Sequence, residues 1–78
     1  MIAKPIWYTD HARGQMKMRG LTRADVRFLV ARGVRKLVPS TSREQVWDAR
    51  AYLRRREASV IFVESAKRYL IVTVQWIE

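Results

Sequence analysis

Two runs rich in β-branched and aromatic residues close this sequence, Ala58 to Glu64 and Tyr69 to Ile77. Ser65-Ala66-Lys67-Arg68 separates them at hairpin length. An isolated hairpin is at best marginally stable in water, so this one must pair with further strands or pack on helices. Alternation along the last strand predicts which side does the packing. Leu70, Val72, Val74 and Trp76 share one face and are expected to cover helices, while Tyr69, Ile71, Thr73 and Gln75 point the other way.

The helices lie upstream. Thr9 or Asp10 can cap a first helix that runs to about Arg19 and stops at Gly20, with Ala12 and Met16 one turn apart on its apolar side. Thr22 opens a second, with Asp25 at its third position as an acidic variant of the capping box. Val26, Leu29 and Val30 form its apolar stripe, and Gly33 ends it. Val34 to Val38 then reads as a short strand closed by Pro39 and Ser40-Thr41-Ser42.

The segment from Arg43 to Glu57 supports two readings. Ser42 with Gln45 resembles a capping box, and Ala, Arg, Leu and Glu favour helix. Yet Trp47, Ala49, Ala51 and Leu53 alternate with Asp48, Arg50, Tyr52 and Arg54 at period two. We favour a strand from about Val46 to Leu53. The expected architecture is a single α+β domain over residues 1–78, two N-terminal helices packed on a mostly antiparallel four-stranded sheet.

A chain of 78 residues buries only about 60% of the surface that it exposes when unfolded, so each large apolar side chain counts. Trp7, Trp47 and Trp76 are read as core, with a partner interface as the alternative for Trp7. There is no Cys, which removes disulfides, thiol chemistry and cysteine-ligated zinc; with one His and seven scattered acids, neither a metal site nor a cofactor is expected. The stretch from Met1 to Ile6 lacks a signal-peptide layout, and the apolar runs Val60–Val63 and Leu70–Val72 are too short to span a bilayer. A cytoplasmic protein that does not enter membranes is expected.

Sixteen Lys and Arg against seven Asp and Glu give a formal charge of +9, and twelve of the sixteen are Arg, which forks onto phosphate oxygens. The cations recur from Lys4 to Arg68, as on a folded basic surface that would attract RNA, DNA, an anionic membrane or an acidic protein. Arg13, Lys17, Arg19, Arg54, Arg55 and Arg68 are the candidate nucleic-acid contacts, although Arg54-Arg55-Arg56 also reads simply as a solvated turn.

The run Tyr8-Thr9-Asp10-His11-Ala12-Arg13, then Met16, Arg19-Gly20-Leu21-Thr22 and Asp25-Val26, resembles the opening of the small bacterial family called domain of unknown function 4258. Ile71-Val72-Thr73-Val74 is similar to its closing hydrophobic-Thr-Val step. That family in turn resembles, in size and element order, the RelE and BrnT type of ribonuclease toxin from toxin–antitoxin systems. The resemblance implies two helices against an antiparallel sheet, metal-independent cleavage of RNA, either free or on the ribosome, and an acidic antitoxin partner. It also implies a catalytic Arg at or near the stretch from Arg43 to Arg56, where this sequence departs most from the family.

Such cleavage needs a base for the 2′-hydroxyl, an acid for the leaving oxygen and a cation for the phosphorane. His11 is the only side chain of a type suited to proton transfer near neutrality, and Gln15 and Arg19 follow it on one helix face. Its structural alternative is to bond the preceding loop and anchor the helix. Arg50 is the candidate for the phosphorane, or else pairs with Asp48 or Glu64. Tyr52 could orient a phosphate, stack a base or cover the sheet edge. Thr73 could bond phosphate or act as a cross-strand structural Thr. Two readings compete with a toxin ribonuclease: a non-catalytic nucleic-acid binder of regulatory or phage origin, and a module whose basic face docks an acidic protein.

Overall fold

The computed structural model describes residues 4–41 and 43–77. The chain runs through β1 (Ile6–Tyr8), α1 (Asp10–Arg19), α2 (Arg23–Arg32), β2 (Val34–Leu37), β3 (Gln45–Leu53), β4 (Arg56–Glu64) and β5 (Tyr69–Ile77). One sheet holds all strands in the order β1-β5-β4-β3-β2. From β2 to β5 each strand pairs antiparallel with the next, and β1 joins β5 in parallel. The protein is therefore α+β with two helices and a five-stranded mixed sheet, not the four-stranded one expected. The added strand is three residues long, too short to show alternation. Its only sequence signal is Ile6-Trp7-Tyr8 directly after Pro5, whose carbonyl accepts from the Tyr69 amide at 3.0 Å.

Capping chemistry sets the helices. The Thr9 hydroxyl accepts from the Ala12 amide at 3.0 Å, and Gly20 leaves α1 in the left-handed conformation (φ 67°), which glycine adopts without a Cβ penalty. Thr22 and Asp25 exchange side-chain-to-backbone bonds of 3.1 and 2.9 Å, a complete capping box. Gly33 is required for space: a Cβ there would stand 2.5 Å from the Leu29 carbonyl oxygen and 3.1 Å from the Ala49 Cβ.

The stretch around Trp47 is strand. Paired on both sides, β3 turns Ala49, Ala51 and Leu53 towards the helices and leaves Asp48, Arg50 and Tyr52 opposite. Ser42, half of the alternative capping box, lies outside the described residues, as do residues 1–3 of the N-terminal stretch. With α2 over β3 and β4 and α1 along β5, the core closes on Val26, Leu29, Val30, Val60, Phe62 and Val74, all fully buried. No helix among the described residues is long and apolar enough to cross a membrane.

The alternation predicted for β5 holds for only half the strand. Ile61 faces Thr73, but the next residue, Phe62, faces Ile71, so Val72 is an extra residue at a β-bulge. An inserted residue inverts the faces beyond it. Ile71 is therefore fully buried with Phe62, Tyr69 packs against the core, and Leu70 lies on the open side beside Trp7 and Val63. Val74 and Trp76 keep the helix-side positions expected of them, and Thr73 and Gln75 keep the open ones.

The basic run at 54–56 is a tight turn followed by strand. Leu53 pairs with Arg56, leaving a two-residue loop in which Arg54 (φ 50°) and Arg55 (φ 69°) both have positive φ. Primed hairpin turns demand this geometry and favour Asn-Gly, because a Cβ there is crowded.

Candidate nucleic-acid interface

Helices cover one face of the sheet and leave the other open. Register assigns the open face in cross-strand rows: Thr73, Ile61, Asp48 and Lys36, then Gln75, Ser59, Arg50 and Val34, then Ile77, Glu57 and Tyr52. Arg50, Tyr52 and Thr73 thus share a face. Since β4 separates their strands and Thr73 lies one row away, level with Asp48, Arg50 and Thr73 are about 10 Å apart across the sheet and about 7 Å apart along it. Towards β1 the face turns apolar, with Trp7, Leu70, Val63 and Val46 in one row.

Arg50 is tethered. Its Nη2 reaches Asp48 Oδ2 at 3.1 Å and its Nε lies 3.3 Å from the same oxygen, while Asp48 Oδ1 accepts from the fully buried Ser59 hydroxyl at 2.7 Å. The hydrogen bonds to Asp48, and then its charge, raise the already high pKa of the guanidinium. Asp48 is thus the partner, whereas Glu64 binds Lys4 at 2.8 Å and accepts from Trp47 Nε1 at 3.0 Å on the helix side.

Tyr52 stands free, 72% exposed, between two shallow clefts. One, of about 480 Å³, lies towards Val34, Lys36 and Arg50; the other, of about 340 Å³, lies towards Arg55, Arg56 and Ile77; Glu57 borders both. Lys36 and Arg56 are absent from the sequence-based candidates. The register of β2 against β3 brings in Lys36, which the alternation alone could not reveal, while Arg56 borders its cleft with its guanidinium 4.5 Å over the Trp76 ring.

His11 is exposed on α1 and forms no hydrogen bond among the described residues, so it does not anchor the helix. Gln15 does, accepting from the Val74 amide at 2.8 Å, with help from Trp76 Nε1 donating to the Arg19 carbonyl at 2.9 Å. These contacts run α1 alongside β5, with Thr9 bonded to Ile71 and Gln15 to Val74, and His11 lies between them in sequence. No hydrogen bond joins it to Arg50, Tyr52 or Thr73.

The other cations are dispersed. Lys17 and Arg19 are exposed on α1, Arg13 lines a surface cleft with Trp7 and Arg23, and Arg68 sits 5.2 Å over the Trp7 ring. Trp7 is 57% exposed, while Trp47 and Trp76 pack against the core. Arg54 is engaged internally: both its terminal nitrogens reach Asp25 at 3.1 Å, and its guanidinium lies 5.7 Å over Trp76.

Two ion pairs fix a pH dependence. The hydrogen bond from Arg54 holds the Asp25 carboxyl below its ordinary 3.8, and that from Lys4 holds Glu64 below 4.5, in each case against the opposing effect of burial. Groups with depressed folded values contribute stability that is complete above the ordinary values and is lost as pH falls through the folded ones. Thermal melts should therefore hold steady down to about pH 4.5 and fall progressively below it. Asp25→Asn and Glu64→Gln should melt lower near neutrality and lose less in acid.

Comparison with family models, curated proteins and solved structures gives no match to this chain.

Proposed function

We propose that this protein acts on RNA through the open face of its sheet, as a metal-independent endoribonuclease of the RelE and BrnT toxin kind held in check by an acidic antitoxin. The observation that carries this reading is the grouping of Arg50, Tyr52 and Thr73 on one uncovered face of a chain with a charge of +9. After the short β1, two helices followed by antiparallel strands support the reading, since that order is the one the resemblance implies. In the reaction His11 takes the 2′-hydroxyl proton, the 2′-oxygen bonds to phosphorus, and the 5′-oxygen leaves with a proton from an acid or water. Arg50 and Thr73 hold the phosphoryl oxygens.

Expression should arrest bacterial growth, and purified protein should cut RNA in EDTA. His11→Ala should slow cleavage by about 10²–10⁴-fold, the usual contribution of a positioned base. RNA left intact, with and without ribosomes, would end the enzyme reading.

The second reading, a non-catalytic RNA binder, is favoured by the pairing of Arg50 with Asp48, which occupies the guanidinium that a phosphorane would need. A binder would function normally as His11→Ala.

A further inference from the structure

We infer that Tyr52 is a stacking platform for an unpaired base, with the flanking phosphates held by Lys36 on one side and Arg55 on the other. The ligand is single-stranded rather than duplex nucleic acid. The inference deepens the RNA reading and rests on it.

The Tyr52 ring is the most exposed aromatic side chain on the open face, 72% accessible against 57% for Trp7. It belongs to a nine-residue strand and pairs with Glu57 of β4, two residues beyond the last pair of β3 with β2, so the ring stands on hydrogen-bonded strand next to an uncovered edge. Trp7, by contrast, has Arg68 over its ring. The clefts beside Tyr52 carry Lys36, Arg50, Arg55 and Arg56 against the carboxylates of Asp48 and Glu57, and Asp48 is already engaged by Arg50 and Ser59. With Arg50 and Asp48 neutralising each other, an aromatic face with Lys36 on one side and Arg55 on the other matches one nucleotide with a phosphate on each side. Duplexes hide the faces of their bases, whereas a single strand offers one to any ring it meets.

The strained turn supports the same assignment. Asn-Gly would relieve positive φ at both positions, yet two arginines stand there. Arg54 has a structural use, clamping Asp25 at the start of α2. Arg55 has no hydrogen bond or ion pair among the described residues, and it lines the cleft beside Tyr52. Strain of this kind persists where the side chain is needed outward. The turn thus aims Arg55 at a ligand.

The test uses the intact protein, a short labelled RNA of mixed sequence, and the same strand annealed to its complement. Wild type should prefer the single strand. Tyr52→Ala should weaken single-strand binding by roughly 5- to 150-fold, the usual range for a lost base–aromatic stack, leaving the salt slope unchanged. Tyr52→Phe should bind like wild type. Arg55→Gly should lower the slope by about 0.7, the value of one phosphate on a single strand, and should melt higher as the turn relaxes. If Tyr52→Ala binds like wild type while Arg55→Gly binds weakly, the stacking inference fails and the RNA reading stands. Equal affinity for single strand and duplex would also overturn it. If wild type binds neither RNA, the functional reading itself fails.

Discussion

Ile71→Ala should destabilise the protein by about 2–5 kcal/mol, and Leu70→Ala by clearly less. The prediction depends on the bulge at Val72. With it, Ile71 is fully buried opposite Phe62, whose ring meets Tyr69 edge-on at 5.6 Å, and Leu70 lies half-buried on the open face. An unbroken strand would exchange the two residues and reverse the order of the effects. A domain of this size holds about 4–12 kcal/mol of net stability, so losing Ile71 should lower Tm by about 8 °C or more, on the rule of about 4–8 °C per kcal/mol. Thermal melts of the two variants decide the matter. Equal losses, or a larger loss at Leu70, would mean that β5 pairs without its extra residue.

RNA affinity should fall steeply with salt. Each phosphate neutralised on a single strand contributes about −0.7 to the slope of log affinity against log salt. Two or three contacts drawn from Lys36, Arg50 and Arg55 give a slope of roughly −1.4 to −2.1, so a fourfold rise in salt should weaken binding by roughly 7- to 18-fold. Lys36→Glu should flatten the slope. Lys17→Glu, in the last turn of α1 and outside the clefts beside Tyr52, should leave it close to wild type. Equal losses from the two variants would indicate a diffuse charge effect with no defined face.

Much of the fold was legible because its signals are local. Thr9, Gly20, Thr22 and Asp25 each act within one turn of helix, and their chemistry does not depend on the rest of the chain. The strand containing Trp47 was legible as alternation against helix-favouring composition, and pairing on both sides resolved it, since burial of Ala49 and Leu53 outweighs intrinsic propensity. Two features were hidden because they depend on partners distant in sequence. The bulge exists only in the register of β5 against β4, and β1 gains its hydrogen bonds from a strand more than sixty residues away.

The candidate site divides in the same way. Period two put Arg50 and Tyr52 on one face, and Thr73 joined them because it lies beyond the bulge. The bond between Arg50 and Asp48 follows from their i, i+2 spacing and was legible as an alternative. The roles of Arg54 and Arg55 were not: adjacent and chemically identical, they are separated by a turn geometry that draws one to Asp25 and leaves the other beside Tyr52. Nor could the sequence show that Gln15, one helical turn beyond His11, is the residue that anchors α1.

The central claim is that RNA binds the open face of the sheet, and backbone amide NMR during titration with a short single-stranded RNA tests it most directly. The account predicts shifts concentrated at Lys36, Arg50, Tyr52, Arg55 and Thr73, with the exposed side of α2 unmoved. Shifts confined to the helices, or none at RNA concentrations where binding is measured, would contradict it.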